Sequence, residues 1–404
     1  MSSSRTKIFD LPRDLRSWRH PPGAAENAEP AVVPIWDDLK DLFNSKGYVL
    51  WTYQPSAHQF VAPESHLTSS GFMGASHLRD LKPVSDGVRT VLEFQSLNPL
   101  THPARTANGQ DVVIRVLAVG SNGLEHLHLL NRIATGMPTL VTGNHTLPLL
   151  DTIELQDVTF GVFPKAGGSA DLLYGSWIEP SEGDILHVLV QCLEALRFLH
   201  GMDIAHRDVF KDNFLLQWYP ESMLIGHIPT SRPRVYLTDF ELAVSFPRHL
   251  PREKHLCVGM PLGGSMPDFN GRPMPAEVLS GKPYDPYKLD VWQLATAFCD
   301  WEASTTDGPR SSLDAVRAVL ARMRDPNPKA RPSAHRATEA VLAALAEVPP
   351  KRLQVPAVVL DDSSDRIRDV QTSSEGSSDA RTAEVASSTG SDGSAATKGT
   401  AKRA

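Results

Sequence analysis

Apolar positions along the chain change period several times, and each change marks an expected element. From Pro34, Trp36, Leu39, Leu42 and Phe43 recur at helical spacing; Asn44, Ser45 and Gly47 end that helix, and YVLWTY reads as a strand. Between Phe72 and Pro103 the pattern weakens to irregular or short β structure. DVVIRVL, Asp111 to Leu117, is a β-branched run of the kind that fills buried strands. GLEHLHLLNRI follows with Leu124, Leu127, Leu130 and Ile133 on one helical face, and TLPLLDTIEL and VTFGVFP supply two more strands, closed by Pro164 and the Gly167–Gly168 pair. After Gly168 the period becomes helical. Ile185, Leu189, Leu193 and Leu196 define a helix from about Asp184 to His200 with Ser181 and Asp184 as candidate caps, and Tyr287 to Trp301, Ser312 to Met323 and Ala334 to Glu347 are helical too.

The ends read differently. Residues 1–30 are polar with little apolar period, and 351–404 are rich in Ser and Thr and lack aromatics, so neither buries enough apolar surface to offset its ordering entropy. The expected organisation is a disordered N-terminus (1–30), a helix/strand extension (31–69), a small β-rich lobe (70–165), a larger, mostly helical lobe (166–350) and a disordered tail (351–404). The fold class is α+β.

Composition narrows the function classes. At 41% apolar and 22% charged residues the chain can bury a sizeable core, and a net charge of −7 argues against gripping nucleic-acid backbone. Three dispersed cysteines exclude a disulfide framework or a thiolate zinc site. With no 18-residue apolar run and no apolar leader region, the expectation is an intracellular protein, cytoplasmic or nuclear, with no membrane partner and no nucleic-acid partner, as a monomer.

The chemistry concentrates in HRDVFKDNFLL, His206 to Leu216, and YLTDFELA, Tyr236 to Ala243. A loop carries an acid and an amide five residues apart, and a second acid ends the next strand. Transfer of a phosphoryl group from magnesium ATP needs one carboxylate to orient a hydroxyl and a pair of oxygen donors for the metal. Three more segments follow in order: PMPAE with Glu277, LDVWQLA with Asp290 and Trp292, and DPNPKARPSA with Arg331.

On these motifs, from Asp111 to Leu342, the chain resembles the protein kinase superfamily and implies a two-lobed kinase-like fold. The resemblance implies ATP and Mg2+ as cofactors, Asp208 as catalytic base, Asn213 and Asp239 as metal ligands, and His206 and Phe240 in a hydrophobic spine. Arg207 would face the activation segment, Asp290 would anchor the catalytic loop, and Arg331 would pair with Glu277. The strand lysine of the family falls on Arg115, with Glu125 as its helix partner, while Val113 and Leu215 would close on adenine. The helix ahead of GY-x-L-W and the GRPMP stretch also make the chain similar to kinase-like proteins of mushroom-forming fungi.

The chain departs from that pattern in several places. No G-x-G-x-x-G is found between Ser70 and Asp111, where Gly71, Gly74, Gly87 and Gly109 are scattered. Arg115 is larger and planar where a compact ammonium is usual. The third motif reads Asp239-Phe240-Glu241, without its glycine, and Phe210 stands where Ser/Thr-directed kinases place a lysine, with Lys211 one step later. The expected activation segment, Asp239 to Glu277, has only Ser245 and Ser265 as hydroxyls, and Ser265 or Asp268 is the expected partner of Arg207. The leading expectation is a protein kinase acting on a Ser or Thr hydroxyl of a protein substrate. The alternatives are a pseudokinase scaffold and, behind it, a small-molecule kinase resembling aminoglycoside and choline kinases.

Overall fold

Short N-terminal elements cover a sheet. A computed structural model describes residues 9–20, 35–57, 59–63, 93–94, 98–173, 181–217, 233–266, 271–299, 301–303, 312–346 and 348–359. Helices α1 (Leu15–Arg19), α2 (Ile35–Asp38) and α3 (Lys40–Ser45) lead into β1 (Tyr48–Leu50). A small three-stranded sheet follows, from β2 (Thr52–Gln54), β3 (Gln59–Val61) and β4 (Glu93–Phe94). Then come β5 (Thr101–Thr106), β6 (Asp111–Val119), α4 (Leu124–Ile133), β7 (Asp151–Leu155) and β8 (Val158–Pro164). The main sheet is antiparallel in the order β1-β5-β6-β8-β7, so the strand from the N-terminal extension joins the small lobe.

Alternation in β6 sets what each face does. Val112, Ile114 and Val116 point into a cluster with Leu15, Trp18, Trp36, Leu39 and Phe43, which leaves Val113 and Arg115 on the opposite face. Residues 9–20 correct the expectation of a disordered N-terminus. Asp14 caps α1 by accepting from the Ser17 amide at 2.7 Å, and the single turn places Leu15 and Trp18 three apart on one side. Trp18 is fully buried, edge-on to Trp36 at 5.8 Å and to Phe160 at 5.9 Å. One turn is too short to register as a period. Residues 1–8 and 21–30 lie outside the described residues.

Helix α4 is turned from its expected face. His126, Leu129, Leu130 and Ile133 are buried, whereas Leu124 is exposed. Gly123 sets this entry with φ +90°, and an added Cβ would lie 2.2 Å from the Leu117 carbonyl.

The large lobe begins with β9 (Gly168–Ser169), α5 (Ala170–Leu173) and α6 (Glu182–Gly201). Ser181 and Asp184 form a capping box at the start of α6. Strand β10 (Ile204–Ala205) precedes β11 (Phe214–Gln217), β12 (Arg234–Leu237) and β13 (Val244–Ser245). β12, β11 and β9 form one sheet and β10 pairs with β13. Helices α7 (Ala276–Leu279) and α8 (Pro286–Ala297), strand β14 (Trp301–Ala303), helices α9 (Ser312–Met323) and α10 (Ala334–Ala346) and strand β15 (Ala357–Val359) complete it. A continuous core runs from Leu129 and Ile133 of α4 through Leu147 and Leu237 to Leu189, Leu193 and Leu196 of α6. This is the α+β, two-lobed arrangement expected. Among the described residues no helix is long and apolar enough to cross a membrane.

The C-terminal boundary also moves. Trp301 ends no helix; it pairs with Val359 in the β14–β15 ladder. The Glu182 amide donates to the Val355 carbonyl at 2.8 Å, and Gly183 leaves room for Leu353, whose carbonyl would sit 2.9 Å from an added Cβ. Residues 350–359 are thus tied to the start of α6, and the rest of the expected tail, 360–404, lies outside the described residues.

Candidate active site

The floor of the site is a loop pinned from beneath. Asp290 and Gln293, three apart on α8 and both fully buried, face the backbone of residues 206–209. Asp290 accepts from the amides of His206 at 2.8 Å and Arg207 at 2.7 Å and is hydrogen-bonded to His200 Nε2 at 2.9 Å. Gln293 accepts from the Val209 amide at 3.1 Å and donates to the Arg207 carbonyl at 2.9 Å. These bonds hold Arg207 at φ +66°, a left-handed conformation that costs a non-glycine residue roughly 1–3 kcal/mol. The expected anchoring role of Asp290 is met in this geometry, and Gln293 is a partner that the sequence reading missed.

Antiparallel register brings the remaining floor residues together. Phe214 of β11 opposes Leu237 of β12, so the Thr238 amide donates to the Asn213 carbonyl at 2.9 Å and Asp239 follows beside Asn213. Asn213 Nδ2 donates to the Asp208 carbonyl and to Asp208 Oδ2, both at 2.8 Å. Asp239 is a second left-handed residue, at φ +63°. His206 and Phe240 meet edge-on at 4.8 Å, and His206 Nε2 is hydrogen-bonded to the Thr238 carbonyl. Burial pushes the Asp208 carboxyl up to about 7; nearby Asp239 adds to the rise, while Arg272 and the Asn213 bond oppose it.

The roof is organised around Arg115. Its Nη2 lies 2.6 Å from Asp239 Oδ1 and 3.7 Å from Glu241 Oε2. Burial works to raise the Asp239 carboxyl, and the Arg115 guanidinium outweighs it, holding the group ionised below the usual carboxylate range. Arg115 Nε is buried and carries no hydrogen bond to any described residue. Glu125 is exposed and does not meet Arg115; His126 is the α4 side chain that turns inward, near enough to Arg115 and Asp239 to feel both charges. Burial and the Arg115 charge push the His126 imidazole down to about 3. Val113 on β6 and Leu215 on β11 are half-buried on the small and large lobes.

Glu241, at the position of the absent glycine, has its own niche. Its carboxylate accepts from Ser265 Oγ at 2.8 Å and from the Ser265 amide at 3.2 Å, and lies 3.6 Å from Arg19 at the end of α1. Gly264, at φ +59°, packs against it where a Cβ would come within 2.8 Å. Ser265 is therefore a partner of Glu241 rather than of Arg207. Arg207 Nε instead donates to the Leu242 carbonyl at 2.7 Å, and Asp268 lies outside the described residues.

The connection that should carry the glycine loop is long. β1 and β5 are neighbours in the sheet, yet residues 51–100 join them where a hairpin needs only a few. It begins with fully buried Trp51, flanked by Arg105 at 5.8 Å and Lys165 at 5.4 Å. Gly71, Gly74 and Gly87 lie outside the described residues, and Gly109 serves the β5–β6 turn.

Glu277 and Arg331 form the expected pair at 2.5 and 3.2 Å, with Arg331 fully buried. Arg272, from the same stretch that ends in Glu277, was not anticipated. It lies 3.1 Å from Asp208 Oδ1 through Nε and donates to Asp212 at 2.8 and 2.6 Å. No local period marks such a residue, since its partners sit 60 positions upstream.

Comparison with known proteins finds serine/threonine-protein kinases similar to part of the chain. The chain is 30% identical over 148 residues to the serine/threonine-protein kinase ppk8 of Schizosaccharomyces pombe, covering 35% of this chain and 24% of ppk8. It is 30% identical over 173 residues to the serine/threonine-protein kinase PAK mbt of Drosophila melanogaster, covering 43% of this chain and 22% of the relative. Over 132 residues it is 32% identical to the human serine/threonine-protein kinase PAK 4, covering 33% of this chain and 18% of the relative. The chain therefore spans about a quarter or less of the length of these relatives. No family model matches it. Over roughly a third of its length, the chain is protein kinase-like.

Proposed function

We propose that this chain is an ATP- and magnesium-dependent protein kinase, transferring phosphate to a Ser or Thr hydroxyl. The observation that carries the reading is that two of the four left-handed, non-glycine residues among those described, Arg207 and Asp239, lie on the two segments that present Asp208, Asn213 and Asp239. Strain of this kind persists where the surrounding structure enforces it, and it concentrates at sites that do chemistry.

The residues suit the ligands. An amide oxygen on Asn213 and a carboxylate on Asp239 are hard donors of the type magnesium takes. The orphaned, buried Nε–H of Arg115 has capacity for a phosphate oxygen, and Val113 and Leu215 would close on the base. When bound, magnesium ATP would supply the phosphoryl group, with ADP leaving, and the metal would neutralise the charge on the phosphates. Asp208 would orient the attacking hydroxyl and take its proton at a carboxylate oxygen. Asn213 Nδ2 steadies that carboxylate throughout.

A specific observation favours a second reading, the pseudokinase scaffold: the 2.6 Å Arg115–Asp239 pair sets a cation on the acid that would hold the metal. Incubation of the full chain with magnesium ATP and mixed Ser, Thr and Tyr peptides, read by mass spectrometry, separates the two. The kinase reading expects phosphopeptide from wild type and none from Asp208→Asn. No phosphopeptide from wild type, together with no binding of magnesium ATP, would establish the scaffold.

A further inference from the structure

Resting on the phosphotransferase reading, the geometry points to Arg272 as a phosphate-contacting residue, supplying from the activation segment the cation that the catalytic loop lacks. The loop itself offers none at this place. Phe210 is aromatic, and Lys211 is buried with its Nζ 5.2 Å from the Phe298 ring, directed into the large-lobe core. Asp208 and Asp239 would confront an incoming phosphoryl group with two carboxylates, and Asp212 adds a third acid nearby.

Arg272 answers that charge. Its guanidinium lies over the Phe210 ring at 4.7 Å, on the residue that replaces a lysine, and touches both Asp208 and Asp212. The stacking sets the plane of the fork, which an ammonium on a flexible stem would lack. Two of its nitrogens are engaged by Asp212. Its Nε is buried and within 3.1 Å of Asp208 Oδ1, yet it is not aligned for a hydrogen bond with any described residue. Arg115 Nε on the roof also lacks a hydrogen bond to any described residue, its ion pairs running through Nη2. Two guanidinium Nε–H groups without an aligned hydrogen bond thus flank the Asp208–Asp239 carboxylates, one from each lobe, Arg272 paired by charge with Asp208 and Arg115 with Asp239, and buried donors of this kind call for an aligned acceptor. A multiply charged oxyanion bound beside these carboxylates would give both an acceptor.

A purely structural clamp would also bring Arg272 to Asp208 and Asp212, so the test reads a property that a clamp does not control. Mg-ATP and Mg-ADP are titrated by calorimetry into the full chain as wild type, Arg272→Ala, Arg272→Lys and the double variant Phe210→Lys/Arg272→Ala, with melting temperatures as a check on folding. The expected result is a loss of about tenfold or more in affinity for ATP in Arg272→Ala, with ADP affinity nearly unchanged, as for one charge-assisted contact to the terminal phosphate. Arg272→Lys loses less, and Phe210→Lys/Arg272→Ala regains the preference for ATP because the charge returns on the loop. Equal losses for both nucleotides, no loss, or tighter ATP binding in Arg272→Ala overturns the assignment and makes Arg272 a clamp or a plug. Should Arg272→Ala melt below the working temperature, Arg272→Lys decides alone by the same ATP-to-ADP ratio. Wild type that binds neither nucleotide overturns the phosphotransferase reading and this inference with it, a failure visible before any variant is made.

Discussion

The floor and the roof of this cleft are held by different kinds of bond. On the floor, buried side chains of α8 bind the backbone of residues 206–209, and the Glu277–Arg331 pair fixes the start of α7. At the roof, Arg115 and Arg19 reach down to Asp239 and Glu241 and pair with them side chain to side chain. Backbone held by side chains has one geometry, whereas a cluster of charges can exchange partners when a ligand enters. The floor is thus preorganised, and the roof is where ligand binding has to compete with existing pairs.

The largest expected effect breaks the floor. Asp290→Ala removes the acceptor of two backbone amides and the partner of His200, and about 4–5 kcal/mol of stability should go with it in denaturant unfolding. A loss below about 1 kcal/mol would mean that the loop does not depend on α8. Glu277→Ala leaves fully buried Arg331 unpaired and should cost about 3 kcal/mol by the same measurement.

Acid sharpens the contrast from the small-lobe side. His102 is buried between Trp36 at 5.2 Å and Phe60 at 4.6 Å, and desolvation pushes its imidazole down to about 4. The unfolded chain takes up a proton below its ordinary value near 6.5 while the folded chain does not until about 4. Stability from this group is therefore complete above pH 6.5 and lost as pH falls towards 4. His102→Leu should flatten the stability-versus-pH curve in that window by about 2–3 kcal/mol; an unchanged slope would rule out His102 as a source of acid lability. The smallest effect lies far from the cleft: Ser181→Ala should cost about 1 kcal/mol through the lost capping box of α6.

What the sequence made legible follows the same division. The floor is written in short segments, so His206 to Asn213 and the run to Glu241 carry their spacing openly, and Asp290 lies one helix later. Its register is local: Phe214 against Leu237 suffices to set Asn213 beside Asp239. The roof depends on pairings that no window contains. Arg115 meets Asp239 across 124 positions, and Arg19 reaches Glu241 from a one-turn helix in a stretch whose composition suggests disorder. The kinase resemblance made Glu125 the expected partner of Arg115, yet the turn at Gly123 rotates α4 so that His126 faces inward. Arg272 and residues 350–359 were hidden for the same reason, since each acquires its role from a distant surface.

The central claim is that this floor, with its strained Asp239, is built to hold a magnesium nucleotide. Calorimetric titration of ATP into the full chain, with and without magnesium and beside Asp239→Asn, tests it most directly. Micromolar binding that requires magnesium and is lost in Asp239→Asn is the expected result. Absence of binding at millimolar ATP, or binding indifferent to both magnesium and Asp239, would contradict it.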